Sequence, residues 1–277
     1  MKKIVWIASY PKSGNTWIRY LISNYFFNEE KKFESNIITN IKKFNVNKAL
    51  VKNQNFNENP YNISKYWIKS QEELKILNGD VVFLKTHNAL LNINNNEFTN
   101  NDLSLAIIYV VRDPRDIVIS YSKYKNLSID DTIEHLISKN LVYVQNNNNP
   151  LDIEIIGSWA FNYNSWKNGI SQIPRIIVRY EDLINDCSHY FFKVIEFLSQ
   201  HMNFKINYNK LKSSVELSKF ENLKKIEIDN RFSENQGSDN FFKTGKYNNW
   251  KNVLNLAQVK KIENSLNLEM KELDYIE

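Results

Sequence analysis

The chain has 277 residues, 42% hydrophobic and 13% aromatic, with 36 basic against 31 acidic side chains and a net charge of +5. Such a length and apolar content exclude a disordered chain and allow one large domain or two small ones. The basic excess is too mild to indicate nucleic acid, and it suits a small anionic ligand.

The apolar run after Met1-Lys2-Lys3 is too short for a signal peptide. Residues 3–8 read as a buried strand and residues 16–27 as an amphipathic helix. From 28 to 70 the pattern is irregular, with Phe33, Phe44, Phe56, Tyr61, Tyr66 and Trp67 scattered among Asn and Lys. Residues 81–85 form a short strand. The continuous apolar run 106–111 predicts a strand buried on both faces. Asp113-Pro114 then starts a helix, with Asp as N-cap and Pro at the first helical position. Residues 128–140 and 153–173 look helical, Pro174 stops the second, and 176–180 is another buried strand. Helical patterns follow at 190–198 and 208–217. A polar stretch, 228–249, has little periodicity, and the last helix covers roughly 256–273.

Apolar strands alternating with helices predict an α/β fold, a P-loop-like central parallel β-sheet flanked by helices on both faces. No repeat or linker divides the chain, so a single domain over 1–277 is expected. No run approaches the ~20 apolar residues of a membrane span. The one cysteine, Cys187, can form no intrachain disulfide and fits a reducing compartment. A soluble, cytoplasmic protein is expected.

In open parallel sheets, ligands sit beyond the carboxyl ends of the strands. After the first strand comes Tyr10-Pro11-Lys12-Ser13-Gly14-Asn15-Thr16-Trp17. Gly14 permits close backbone approach, the amides from Gly14 to Trp17 are orphan donors at a helix start, and Lys12 adds a full charge. The loop is either an anion cradle or an ordinary strand-to-helix turn. It lacks the second glycine and the Gly-Lys order of a Walker A motif. After the second strand come Lys85-Thr86-His87, where a histidine can act as general base or be merely structural. After the third comes "VVRDPRDIVISYSKYK", in which Ile117, Ser120, Tyr121 and Tyr124 share one helix face. Arg112 offers a fork for phosphate oxygens and Ser120 a hydroxyl; otherwise Arg112 is an ion-pair partner and Ser120 a packing residue. After the fourth, Tyr180 precedes Glu181 and Asp182. These carboxylates lack a third ligand at sensible spacing, so a helix-start role is expected for them and no metal.

In this order the stations resemble the cytosolic-type sulfotransferase family, which uses 3′-phosphoadenosine-5′-phosphosulfate (PAPS). "SYPKSGNTW" resembles the family's 5′-phosphosulfate loop, usually TYPKSGTTW, and "VVRDPRDIVISYSKY" its 3′-phosphate motif. "LKTHNALL" is similar to its Lys-Thr/Ser-His-Leu-Pro strand end, "VRYEDL" to its Tyr-Glu-Asp segment, and "FFKTGKYNNWKNVL" to its C-terminal Arg-Lys-Gly-x-x-Gly-Asp-Trp-Lys motif. The resemblance spans residues 4 to about 255.

The resemblance implies a PAPS-dependent sulfotransferase, with 3′,5′-diphosphoadenosine as nucleotide product and no metal. Lys12 would contact the phosphosulfate and help the departing phosphate, and Lys85 would lie near the transferring sulfuryl group. The amides of Ser13, Gly14, Asn15 and Thr16, with the Thr16 hydroxyl, would hold the 5′-phosphate. Trp17 would stack on adenine, with Ser218 and Phe220 of "ELSKF" as further adenine contacts. Arg112, Ser120 and the loop Lys243-Thr244-Gly245 would bind the 3′-phosphate, and Tyr180 would lie against the nucleotide. His87 would take the acceptor's proton.

Several positions depart from the family pattern. The Arg-Lys-Gly triplet becomes Lys243-Thr244-Gly245, with one expected cation missing; Lys cannot reproduce the two-pronged grip of Arg, and Lys246 is a candidate substitute. Gly-Asp before the Trp becomes Asn248-Asn249, and Leu-Pro after the His becomes Asn88-Ala89. The family's dimer-contact motif is not recognisable, which leaves the oligomeric state open. The acceptor, a small molecule, lipid or glycan, would be shaped by residues 28–70 and 126–149, whose aromatics equally read as a minor core. The rival readings are a P-loop small-molecule kinase and a non-catalytic relative that binds the nucleotide or a sulfated glycan.

Overall fold

The computed structural model describes residues 3–51, 56, 58–74, 81–138, 140, 143–146, 149–228 and 248–277. The chain begins with β1 (Lys3–Ser9), α1 (Asn15–Phe27), β2 (Lys42–Lys43), α2 (Trp67–Glu72) and β3 (Val81–Thr86). A small hairpin, β4 (Asn92–Ile93) and β5 (Asn96–Glu97), leads to β6 (Ser104–Val111), α3 (Pro114–Lys125) and α4 (Ile129–Ile137). Then come β7 (Tyr143–Asn146), β8 (Asn149–Ile155), α5 (Trp159–Asn168) and β9 (Arg175–Arg179). The elements described after β9 are helices: α6 (Tyr180–Asn185), α7 (Cys187–Met202), α8 (Tyr208–Leu217), α9 (Phe220–Ile228), α10 (Leu256–Ser265) and α11 (Asn267–Glu272).

Five strands form the central sheet in the order β2-β3-β1-β6-β9, and helices flank it. β1 pairs in parallel with β3, Val5 opposite Phe83, and β2 pairs in parallel with β3, Lys43 beside Lys85. Ile4 to Ala8 are 0% exposed. A strand covered on both faces has no polar side to present, hence its unbroken apolar sequence. The four long strands end at Ser9, Thr86, Val111 and Arg179, each just before a station singled out in the sequence.

The expected helix over 153–173 is corrected. Its first residues belong to β8, antiparallel to β7, and only Trp159–Asn168 is helical. Leu151-Asp152-Ile153-Glu154-Ile155 alternates apolar and polar with the period of a strand. Gly157 at φ +62 turns the chain, and the Ser158 side chain caps α5 by accepting from Phe161 N at 3.1 Å. The expected helix over 128–140 ends at Ile137, and the terminal one breaks at buried Leu266. Asp113 caps α3 as expected, accepting from Arg115 N at 2.9 Å.

Contacts group the chain into two compact units, one of residues 1–10, 41–109 and 138–177, the other of 11–40, 110–137 and 178–277. The first centres on an aromatic cluster in which Trp6 packs on Phe44 at 5.4 Å and on Phe98 at 5.0 Å, and Trp67 on Phe98 at 5.2 Å. Phe44 and Trp67, from the irregular stretch 28–70, are therefore core. In the second, α1 packs on α8, α7 on α8, and α10 on α3 and α4.

Candidate active site

In the second unit, Pro11 to Gly14 carries the chain into α1. Lys12 at φ +66 and Gly14 at φ +98 are both left-handed. Gly14 is the N-cap, and its carbonyl accepts from Trp17 N at 3.0 Å and Ile18 N at 3.3 Å. The amides of Gly14, Asn15 and Thr16 thus precede the first intrahelical bond and favour an anion. A Cβ on Gly14 would meet Cδ2 of Tyr180 at 2.5 Å, so glycine is required by space as well as by φ. The Ser13 hydroxyl is buried and has no hydrogen-bond partner among the described residues.

Three stations far apart in sequence converge here. Arg112 Nη1 donates to Lys12 O at 3.3 Å, and its guanidinium lies 4.5 Å from the Tyr180 ring centre. Arg112 Nε is buried without a partner among the described residues. Trp17 packs on Phe220 at 4.7 Å and meets Tyr180 edge-on at 5.8 Å, while its Nε1 donates to Ser218 O at 2.9 Å. Lys12 Nζ lies 4.7 Å from the Tyr124 ring; half-exposed Ser120 is one turn back on that face of α3. Burial pushes the Tyr180 hydroxyl up, against the opposing pull of Arg112, so it is a neutral phenol at neutral pH.

Glu181 does not cap its own helix. It accepts from Asp113 N at 3.0 Å and from the Tyr275 hydroxyl at 2.9 Å, tying the start of α3 to the start of α6. Arg115 is structural: it forks onto Asp113, pairs with Glu263 at 2.6 Å and lies 3.9 Å over the Trp250 ring.

In the first unit, His87 follows β3. Its Nδ1 lies 2.8 Å from Ser9 O, which can only accept. Nδ1 therefore carries the ring proton, and Nε2 carries the lone pair. His87 N donates to Glu154 Oε1 at 2.6 Å, and Asn162 Nδ2 donates to His87 O at 3.0 Å. Asn162 is itself fixed by the Tyr109 hydroxyl, which donates to it at 2.9 Å. The adjoining Asn88 accepts from Ile155 N at 2.7 Å and, through its carbonyl, from Trp166 Nε1 at 2.9 Å.

Charge surrounds this turn. Lys43 and Lys85 are neighbours in register, a like-charge pair that needs a counterion. Glu154 supplies it, 2.8 Å from Lys43 Nζ, with Asp152 at 2.5 Å from the same ammonium. Burial alone would push the Glu154 carboxyl up; Lys43, Lys85 and His87 together hold it well below its usual range. Burial likewise pulls on Lys43, but Glu154 and Asp152 outweigh it and raise that ammonium. The His87 ring keeps some open surface but is closely packed. Burial first and the Lys85 charge second lower it to about 3, against Glu154. The imidazole is neutral at pH 7.

Lys43, Glu154 and Asp116, a buried residue of α3, carry chemistry that the sequence reading did not assign. The strand alternation around Glu154 was the available signal. Lys243, Thr244 and Gly245 lie outside the described residues. Burial, with the Asp186 charge, pushes the Cys187 thiol up to about 12, so it is a protonated thiol at neutral pH. Among the described residues, no cluster of His, Cys, Asp and Glu is arranged to hold a metal, and no helix is long and apolar enough to cross a membrane.

Residues 2–274 match the model of the sulfotransferase domain family. An amine sulfotransferase of Oryctolagus cuniculus is 22% identical over 97% of this chain and 81% of that protein. Cytosolic sulfotransferase 15 of Arabidopsis thaliana is 24% identical over 92% of this chain and 68% of that protein. Among solved structures, mouse sulfotransferase SULT7A1 complexed with PAP aligns with a TM-score of 0.61 at 18% identity, covering 99% of this chain and 87% of that one. Retinol dehydratase with retinol and PAP aligns at 0.64 and 17% identity, covering 98% and 82%.

Proposed function

The chain belongs to the sulfotransferase domain family, and we propose that it moves a sulfuryl group from PAPS to a hydroxyl or amine of a small-molecule, lipid or glycan acceptor. The observation that carries this reading is the convergence of Lys12, Arg112 and Tyr180 around a left-handed loop at a helix N-terminus. The residues fit the nucleotide on three counts. Ser13 and Arg112 each hold a buried donor with no described partner, a Cβ would fill the cradle at Gly14, and Trp17, Tyr180 and Phe220 form an aromatic wall for adenine.

PAPS supplies an activated sulfonate on a good leaving phosphate. In this reading, the amides from Ser13 to Thr16 and the Thr16 hydroxyl hold the 5′-phosphate. Lys12 stabilises charge on the departing phosphate, and Lys85 charge on the sulfuryl oxygens. Arg112 and Ser120, with Lys243, Thr244 and Gly245, hold the 3′-phosphate. Such transfer depends on in-line positioning and charge stabilisation, as phosphoryl transfer does. His87 Nε2 takes the acceptor's proton as the acceptor attacks sulfur. A neutral imidazole of depressed pKa is a weak base, but the acceptor oxygen becomes strongly acidic as it bonds to sulfur. A late proton transfer therefore needs no stronger base.

The test is transfer from labelled PAPS to phenols, alcohols, amines and glycans, alongside binding of 3′,5′-diphosphoadenosine and ATP–Mg. Labelled product from one acceptor class, with the diphosphate preferred over ATP–Mg, is expected. Preference for ATP–Mg would move the chain to the kinases. Tight nucleotide binding without transfer to any acceptor would make it a binding protein.

A further inference from the structure

Asp116 lies in the first turn of α3, four residues after Arg112, and is 2% exposed. Asp113 already caps the helix, so Asp116 is not needed there. Its carboxylate is shared three ways. Oδ2 accepts from Asn248 N at 2.7 Å and lies 4.0 Å from Arg112 Nη2, and Oδ1 accepts from Trp250 N at 3.1 Å. Asn248 sits at φ +63, where the chain turns sharply, and Trp250 is also gripped through its ring by Arg115. Burial pushes the Asp116 carboxyl up, while Arg112 and the two backbone amides pull the other way. A buried carboxylate is costly unless its partners hold it, and here they are the phosphate-binding arginine and one short turn. That turn begins three residues after Gly245, the end of the loop that the family resemblance implies for the same phosphate.

We infer that Asp116 is a positioning residue for the 3′-phosphate end of the nucleotide, coupling the aim of Arg112 to the seating of the Asn248–Trp250 turn. The inference rests on the nucleotide reading above. The carboxylate lies at ion-pair distance from Nη2 of the guanidinium. Nη1 also donates to Lys12 O, and the unanswered Nε is left for phosphate oxygens. An amide in its place would set an NH2 group against Arg112 or a backbone N–H, donor facing donor, and both couplings would weaken together.

The experiment compares 3′,5′-diphosphoadenosine with adenosine 5′-monophosphate, which lacks the 3′-phosphate, by calorimetry on the wild type and D116N. The wild type should bind the diphosphate more tightly. D116N should lose about tenfold of that discrimination, the scale of one charged hydrogen bond, with its monophosphate affinity unchanged. Equal weakening of both ligands would reduce Asp116 to a structural role and overturn the proposal, as would no change in either. A wild type that does not distinguish the two ligands removes the nucleotide reading, and the proposal with it. Should D116N not fold, amide exchange on the wild type decides. The diphosphate should slow exchange at Asn248 and Trp250 more than the monophosphate does; equal slowing overturns the coupling.

Discussion

The turn at His87 is held by Glu154 and Asn162 through its backbone and by Ser9 through its ring, whereas the loop at Lys12 contains two left-handed residues and a buried hydroxyl that no described residue answers. The first region spends its polar groups on itself. Its hydrogen bonds fix one tautomer and one orientation of the ring in advance, as the base proposed above requires. The second holds buried donors without a described partner and left-handed backbone, which suit the anionic nucleotide proposed above. Substitutions in the first region should therefore alter turnover or folding and spare nucleotide affinity. Substitutions in the second should alter affinity first.

The largest effect tests that division. H87A should lose about 10²–10⁴-fold in turnover, the usual contribution of a positioned general base, while binding 3′,5′-diphosphoadenosine like the wild type. Turnover equal to wild type removes His87 from the mechanism, and loss of nucleotide affinity breaks the division. G14A is the counterpart. A left-handed alanine costs about 1–2 kcal/mol, and its methyl would also displace the Tyr180 ring. Nucleotide affinity should fall about tenfold or more, measured by calorimetry. Wild-type affinity in G14A would mean that the loop does not cradle the phosphate. E154Q should leave that affinity alone and cost about 2 kcal/mol in urea unfolding. That is less than a fully buried ion pair, because Lys43 keeps some exposure and the amide can still accept from His87 N. Unchanged stability would mean that the charge network does not hold the His87 turn.

The same contrast explains what could be read before the structure. Lys12 to Trp17, Arg112 and Tyr180 announced themselves because strand ends, a cap and a proline are local signals, and the structure brings these residues together. The sulfotransferase resemblance was legible for the same reason, since its motifs are contiguous. Glu154 was hidden by a helix expectation that ran across a short strand, and Lys43 by a two-residue strand with no period to detect. Asp116 sat in plain view in "RDPRD", but its amide partners lie 132 and 134 residues downstream, and no local pattern encodes them. Buried charge networks are decided by tertiary neighbours, so they are the last things a single sequence reveals.

The last effect is one of pH, and its sign follows from His87. The folded imidazole titrates at about 3, well below the ordinary value of 6.5. Between those values the unfolded chain binds a proton that the folded chain does not, so acid favours unfolding. This stabilisation is complete above pH 6.5 and is lost as pH falls toward 3, by at most about 1.4 kcal/mol per pH unit. Glu154, held well below its usual 4.5, adds a loss of the same sign only beneath that value. Urea unfolding of the wild type should therefore weaken from pH 6.5 to 5, and H87Q, which has no imidazole to titrate, should flatten that slope. Parallel slopes in the two proteins would mean that His87 keeps an ordinary pKa. The turn would then be less closed than its hydrogen bonds suggest, and the contrast with the Lys12 loop would shrink accordingly.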